Sequence, residues 1–287
     1  MEHAIICTNI GDREIREQYT TFLYDITSCY TKPTLDNAIT LVDYHVHTYN
    51  SFDSYINPFN YEKIIKSIKD KIQGIIRALS SYTKQKDYKN FSNIINIVIG
   101  FVDHNRLPYV KYYERPLIFT LGNLMLKFFS FYGIEQKLKN GCEIIAYAPY
   151  SIKQSNNFKI YYSLPHPFKR NCPSLAKLMR RANFIELFNG RTTLDKNVKA
   201  LRLWRELYAV RSSIFPVAGS DAHTYNEILD AGVAILGSNV LCLFYKLKNT
   251  LSIGCSEALS QLYAAFKTRS SKRIVNSIVV LVKGVLG

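Results

Sequence analysis

The chain of 287 residues lacks several features that would assign it to a class at once. No basic, apolar leader opens it, and no run of about 18 apolar residues suggests a membrane span. The six cysteines form no Cys-x-x-Cys pair, so we expect buried or free thiols of a reducing compartment and no disulfide framework. They are Cys7, Cys29, Cys142, Cys172, Cys242 and Cys255. These absences predict a cytoplasmic globular protein.

Acidic residues are also scarce. Lys and Arg number 37 against 22 Asp and Glu, which leaves a formal net charge of +15. The excess is concentrated between Pro149 and Arg211, where 13 basic and 3 acidic residues leave +10. A charge of this sign favours acidic partners such as phosphate esters, nucleic acid or an anionic membrane surface, and it carries no information on the fold.

The apolar pattern predicts strands that alternate with helices. Strand-like runs cover Ala38–His47, Ile94–Val102, Glu143–Tyr147, Lys159–Leu164, Phe184–Phe188 and Ser213–Ala218. Isoleucines at helical spacing predict an amphipathic helix over 61–80, followed by a polar loop over 80–93. Further helical patterns cover Ser174–Ala182 and Thr193–Val210. Such alternation is typical of a parallel α/β architecture.

Polar clusters stand at the ends of these runs and contain five of the six histidines. They are His45-Val46-His47 with Ser51 and Asp53, Asp103-His104-Asn105, Gly133-Ile134-Glu135, Pro165-His166-Pro167, and Asp221-Ala222-His223. Residues i and i+2 of a strand face the same side, so His45 and His47 can reach one ion. Each cluster alone has an ordinary explanation as a turn or a helix cap. Together they indicate a metal site at the carboxyl ends of the strands.

In order and approximate spacing, these motifs, with Glu186-Leu-Phe-Asn189 and Gly219-Ser-Asp221-Ala-His223, resemble the polymerase and histidinol phosphatase (PHP) superfamily over about residues 40 to 240. The amidohydrolase superfamily also opens with His-x-His, but Gly-Ile-Glu and the closing Asp-x-His fit PHP better. The resemblance implies an α/β fold, a distorted (β/α)7 TIM-like barrel with N- and C-terminal extensions. We therefore divide the chain into an extension (1–37), the barrel (38–255) and a basic amphipathic helical tail (256–287).

The resemblance also implies two or three divalent ions, Mn, Zn or Fe. Carried over by position, His45, His47, Glu135 and Asp221 bind the first ion, and Glu135 bridges to a second that His166 also binds. Asp53, His104 and His223 are the implied ligands of a third. Family members often add a histidine from the strand after the bridging glutamate. Here that strand carries Tyr147 and no histidine, so the second ion is expected to lack one protein ligand.

The implied activity is hydrolysis of phosphate esters by a metal-activated water. Glu135, Asp221 and His223 are the expected catalytic residues, with His223 or a metal-bound water as general acid. Arg191 is the first candidate for binding the substrate phosphate, followed by Lys169 and Arg170.

Three functions remain open on the sequence. Hydrolysis of nucleotides or single-stranded oligonucleotides is favoured by the basic segment and by the Tyr and Lys residues of 82–89. A small-metabolite phosphomonoesterase is the alternative, and a non-catalytic subunit that binds nucleic acid is the third. The tail is expected to be a docked helix with a solvated basic face, or an interfacial helix on anionic lipid.

Overall fold

The described part of the chain folds into one mixed β-sheet with a few helices. This computed structural model describes residues 6–11, 38–83, 93–108, 116–148, 160–210, 214–236, 239–244 and 250–270, with helical positions at 15, 17–19, 21–23, 272–275 and 277–279. The strands are β1 (Ile6–Gly11), β2 (Ile39–Val46), β3 (Ile94–His104), β4 (Leu117–Leu121), β5 (Leu124–Lys137), β6 (Glu143–Ala148), β7 (Tyr161–Leu164), β8 (Phe184–Asn189), β9 (Phe215–Gly219), β10 (Ala231–Leu236) and β11 (Asn239–Phe244). The helices are α1 (Tyr61–Thr83), α2 (Leu175–Met179), α3 (Leu194–Val210) and α4 (Thr250–Thr268), with a 3-10 turn at Tyr225–Glu227.

The strand directions bring six carboxyl ends to one edge. The strand order is β1-β11-β10-β2-β3-β5-β6-β7-β8-β9, with β4 paired to β5. β2, β3 and β5 are parallel neighbours, and so are β7, β8 and β9. β6 is antiparallel to both β5 and β7, so all six strands run in the same direction. The sheet curls enough for the N–H of His47, after β2, to donate to the carbonyl O of Ala222, after β9, at 2.8 Å.

The expected (β/α)7 barrel with a helix between successive strands is wrong. Several strands that follow each other closely in the chain pair antiparallel: β4 with β5, β5 with β6, and β10 with β11. The β4–β5 turn is Gly122-Asn123, where Gly122 has a positive φ of 61°. Connections this short fit antiparallel pairs, because a crossover to a parallel strand takes a dozen residues or more. Among strands β2 to β11, the described α-helices separate β2 from β3, β7 from β8, and β8 from β9, and further helical positions lie between β1 and β2.

Apolar side chains pack against both faces of the sheet. On one face, α1 buries residues three or four positions apart against β2, β3 and β5: Ile64, Ile68, Ile72, Ile75 and Leu79. This confirms the helix predicted over 61–80, which continues to Thr83 into the predicted loop; residues 84–92 lie outside the described part. On the other face, Phe22 packs its ring among Tyr44, Phe131 and Phe184.

The two chain extensions contribute to the folded body. β1 pairs with β11, and Ile15, Tyr19, Phe22 and Leu23 from the first 37 residues are buried in the core. α4 begins at Thr250, six residues before the predicted tail. The three-part division of the chain stays a prediction. No described helix is long and apolar enough to cross a bilayer.

The prediction of unpaired thiols is wrong for two cysteines. Cys142 and Cys172 form a disulfide across a sequence separation of 30. The pairing was missed because neither cysteine has a near neighbour of its kind in sequence. The contact arises only when the start of β6 meets the loop before α2. Cys255 is a half-buried thiol.

Candidate metal centre

The predicted metal ligands converge at the edge where the six like-directed strands end. They are contributed by β2 and the residue after it (His45, His47), the following loop (Asp53), β3 (His104), β5 (Glu135), and the segments after β7 (His166) and β9 (Asp221, His223). Three groups have ligand atoms within 4.8 Å of one another: His47–His104–His223, His45–Glu135–His166 and His45–His47–Asp221. Buried histidine and carboxylate groups that can hold a metal ion are therefore present.

His45 and His47 have the spacing of two ligands on one ion. Their Nε2 atoms lie 3.1 Å apart. Two nitrogens that each lie about 2.0–2.1 Å from a shared ion are about 2.9–3.4 Å apart at octahedral to tetrahedral angles. The Nδ1 atoms have other partners, since that of His45 is 3.3 Å from Glu186 Oε1 and that of His47 is 3.1 Å from Ser51 Oγ. Such contacts leave Nε2 of each ring for the ion.

Glu135 lies among the imidazoles, as expected of a bridging ligand. Its Oε2 is 2.8 Å from His104 Nδ1 and 3.5 Å from His47 Nε2, and its Oε1 is 3.2 Å from His166 Nε2. The β3–β5 register explains the contact with His104, because it places His104 directly opposite Glu135. The geometry fits a carboxylate shared by neighbouring ions, although the number of ions stays a prediction.

Asp53 supplies a buried oxygen that fits a cation. Its Oδ2 is 3.4 Å from His223 Nε2 and 3.7 Å from His104 Nε2. Its Oδ1 is buried without a hydrogen-bond partner. A carboxylate oxygen withdrawn from water needs a donor or a cation to offset its desolvation. Asp53, His104 and His223 are therefore suited to the third site that the resemblance implies.

Asp221 connects the histidine pair to Lys169. Its Oδ1 is 3.3 Å from His47 Nε2, and its Oδ2 accepts a hydrogen bond from Lys169 Nζ at 2.8 Å. Burial by itself would lower the pKa of Lys169, but the Asp221 carboxylate outweighs burial and raises it. Lys169, predicted to bind substrate phosphate, is thus already an ion-pair partner of a ligand.

The electrostatics keep the carboxylates ionised. Burial tends to raise the pKa of Glu135 and of Asp221, but the surrounding imidazoles and Lys169 hold both well below the usual range. Burial would lower the pKa of His104, but hydrogen bonds to Asp53 and Glu135 raise it to about 10. The pKa of His47 is well below its ordinary value, because burial is reinforced by neighbouring imidazoles.

Several orienting residues were not among the predicted site residues. Glu186 accepts from the backbone N–H of His166 at 2.7 Å, besides its contact with His45. Asp103 accepts hydrogen bonds from Thr48 and Ser51. Asp43 accepts from the N–H groups of Ser220 and Leu229, and burial raises its pKa to about 6. Each is an acidic residue at or within an apolar run, and Asp103 and Glu186 stand in the quoted motifs although no site role was predicted for them.

A buried lysine fixes the turn that follows His223. Lys71, on α1, donates from Nζ to the carbonyl O of Asn226 and of Ile228, and to Asp230 Oδ1, at 2.6–2.7 Å. The same turn contains Leu229, which has a positive φ of 62°. Positive φ recurs at the centre itself, with 55° at Asn105, 28° at His166 and 53° at Asp221. Non-glycine residues adopt such angles at a cost that the surrounding structure must offset.

The predicted phosphate-binding residues border one cavity of about 340 Å³ beside the histidines. Arg191 is buried: Nη1 lies 2.8 Å from His223 Nδ1, and Nη2 donates to Ser260 Oγ on α4 at 2.9 Å. Arg170 is about half exposed and donates to Glu143 Oε1 at 2.6 Å. Arg191 thus connects a predicted ligand to the C-terminal helix, a role that the sequence did not suggest.

Tyr147 lies in the strand where the resemblance to PHP sequences led to the expectation of a histidine. It is buried, and its hydroxyl donates to the carbonyl O of Tyr44 at 2.9 Å. Its ring also lies against Gly133, where an added Cβ would come within 2.7 Å of Tyr147 Cδ1. The tyrosine therefore has a packing role in β6.

Comparisons with known proteins do not assign the chain to a family. No family model and no curated protein matches it. Among solved structures it is similar to the crystal structure of PsfC from Pseudomonas syringae PB-5123, at 15% identity and a TM-score of 0.43. The match covers 81% of this chain and 99% of PsfC, and it is too weak to support an argument about function.

Proposed function

We propose that the protein is a metal-dependent phosphoesterase, with nucleotides or single-stranded oligonucleotides as the favoured substrates. The observation that carries the proposal is the His45–His47 pair, 3.1 Å apart, in a centre beside a cavity that Lys169, Arg170 and Arg191 also border. Imidazole and carboxylate ligands suit Mn, Zn or Fe. Ions bound there would lower the pKa of a water molecule and polarise a phosphoryl group.

The chain's own residues have distinct roles in this proposal. His45, His47, Glu135 and Asp221 hold the centre. His223 serves either as a ligand or as the general acid for the leaving oxygen. The two roles exclude each other because both use Nε2; its Nδ1 lies 2.9 Å from the carbonyl O of Asp221.

Exposed cations beyond the cavity favour a polymeric or nucleotide substrate. They are Lys177, Arg180, Arg181, Lys199, Arg202 and Arg205. They lie on or beside α2 and α3, which follow the loops that carry His166 and Arg191. Exposed basic side chains attract the phosphates of a nucleic acid, and their contribution to binding falls as the salt concentration rises.

The test is a hydrolysis assay with Mn²⁺ that offers a 5′-phosphorylated single-stranded oligonucleotide and simple phosphomonoesters in parallel. Asp221→Asn keeps the size of the side chain and removes its charge, so we expect activity to fall to background. The matched control is Asp70→Asn, on the exposed face of α1, which should retain full activity. His45→Ala should behave like Asp221→Asn.

The outcomes separate the three functions. Stepwise release of mononucleotides supports the favoured substrate, and release of phosphate from small esters alone assigns a metabolite phosphomonoesterase. Metal retention with nucleic-acid binding and no turnover assigns a non-catalytic subunit. Full activity in both His45→Ala and Asp221→Asn contradicts the metal centre itself.

A further inference from the structure

The last described helical positions turn their apolar side chains outward. Ile274, Val275, Ile278 and Val279 are 40%, 58%, 56% and 44% exposed, whereas Ser277 between them is 6% exposed. Positions i, i+1, i+4 and i+5 share one face of a helix, so these four side chains form one stripe. A helix on the surface of a globular protein normally has the opposite arrangement, with its polar face toward water.

The helix before this stripe adds to the exposed apolar surface. On α4, Leu259 is 59% exposed and Phe266, seven residues later, is 71% exposed. Leu259 and Phe266 lie on one side of α4, because seven residues make almost two turns. Large exposed apolar surface rimmed by polar residues is typical of an interaction site.

The charge of the same segment is of one sign. From residue 258 to residue 287 the sequence has no Asp or Glu, and its five basic residues are Lys267, Arg269, Lys272, Arg273 and Lys283. Arg269 and Lys272 are exposed. Aliphatic side chains interleaved with cations match a bilayer that carries anionic headgroups, because the former enter the acyl boundary while the latter meet the phosphates.

Two basic side chains of the segment contact the loop that follows β2. Lys267 Nζ donates to the carbonyl O of Tyr49 and of Ser51, and the Arg273 guanidinium lies 4.3 Å from the centre of the Phe52 ring. These contacts fix the segment beside the loop that carries Asp53. The four apolar side chains are therefore exposed, while Lys267 and Arg273 hold the segment next to the predicted metal centre.

We propose that the segment from α4 to Val279 docks on an anionic lipid surface. Val279 belongs to the stripe and also borders the cavity beside the histidines. Docking would therefore bring the mouth of the cavity to the lipid–water boundary. The functional meaning of that placement rests on the proposed phosphoesterase activity, but lipid binding itself does not. Lipid binding is measured without substrate, so lipid docking and phosphoesterase activity can fail separately.

The test is flotation of the full chain with phosphatidylcholine vesicles and with vesicles that contain about 30% phosphatidylserine. We expect at least about tenfold tighter binding to the anionic vesicles, lost at high salt. Ile274→Ser with Ile278→Ser should weaken that binding by about tenfold or more, since two aliphatic side chains leave the interface. The matched control is Ile118→Ser with Val210→Ser, at side chains that are 60% and 84% exposed elsewhere, and it should bind as the parent does.

Three results with the parent and the Ile274/Ile278 variant would overturn the proposal. They are binding to neither vesicle, equal binding by the Ile274/Ile278 variant and the parent, and a concentration-dependent dimer that this variant abolishes. The dimer would assign the stripe to a second copy of the chain. Arg269→Gln with Lys272→Gln should remove the preference for anionic vesicles, and an unchanged preference also counts against lipid docking.

Discussion

Loading the centre with a divalent ion should release protons. In the metal-free protein, burial would lower the pKa of His104, but Asp53 and Glu135 raise it to about 10. Burial is likewise outweighed at His45, where Asp221 and Glu186 hold the pKa well above its ordinary value. A histidine ligand must be neutral. Each of these two rings therefore gives up a proton when it binds an ion, whereas His47, with its lowered pKa, gives up none.

The size of the effect follows from the pKa of His104. A pH of 7 is about three units below the pKa of His104, and each unit corresponds to about 1.4 kcal/mol in the free energy of deprotonation. Displacing that proton costs about 4 kcal/mol, or about a thousandfold in apparent affinity. Affinity should rise about tenfold per pH unit for each proton released. The sign for metal-free stability is opposite: the contribution of His104 is complete below about pH 6.5 and is lost as the pH rises through about 10.

Titration calorimetry with Mn²⁺ at pH 7.5, in buffers of different ionisation enthalpy, counts the released protons. We expect about two, one from each of His45 and His104, and about one fewer for His104→Gln. Asp70→Asn, an exposed carboxylate on α1, is the control and should leave the count unchanged. A count of zero, or an equal count in His104→Gln and the parent, would refute the assignment of protonated ligands in the metal-free centre.

Two further predictions concern stability. Lys71→Met should lower the free energy of unfolding by about 3–5 kcal/mol in urea titrations, because it removes the buried ammonium that pairs with Asp230 and donates to two backbone carbonyls. Lys69→Met, exposed on the same helix, should change it by less than about 0.5 kcal/mol. Joint replacement of Cys142 and Cys172 by Ser should cost about 3–4 kcal/mol by the entropy of a loop closed across 30 residues. An unchanged thermal midpoint after both cysteines are replaced would contradict the disulfide.

Local patterns predicted the elements that position the centre. The isoleucine period identified α1 because one face of that helix is buried, and the Ile- and Val-rich run identified β3 because both faces of that strand are buried. Polar residues after strand-like runs predicted the convergence of His45, Glu135 and Asp221, since parallel strands end at a common edge. The convergence of these side chains was therefore predictable without knowledge of the complete topology.

Part of the remaining topology had a local signal that the expectation of alternating strands and helices passed over. Gly122-Asn123 between β4 and β5, and Gly237-Ser238 between β10 and β11, are two-residue pairs of the kind that join antiparallel strands. The burial of Arg191 was inaccessible from the sequence, because it requires α4 to bring Ser260 to the loop after β8. An arginine after a strand looks the same in sequence whether it faces a ligand or a helix.

The spread of the ligands along the chain makes the centre a reporter of complete folding. The first predicted ligand is His45 and the last is His223, and His166 and Asp221 adopt positive φ angles that an isolated segment avoids. No partly folded fragment can hold them together, so an ion would bind the assembled sheet and have little affinity for the open chain. The thermal midpoint of unfolding should therefore rise with the logarithm of the free metal concentration. When a chelator is present during refolding, the sheet should still form, and the ion should bind only after it is added back.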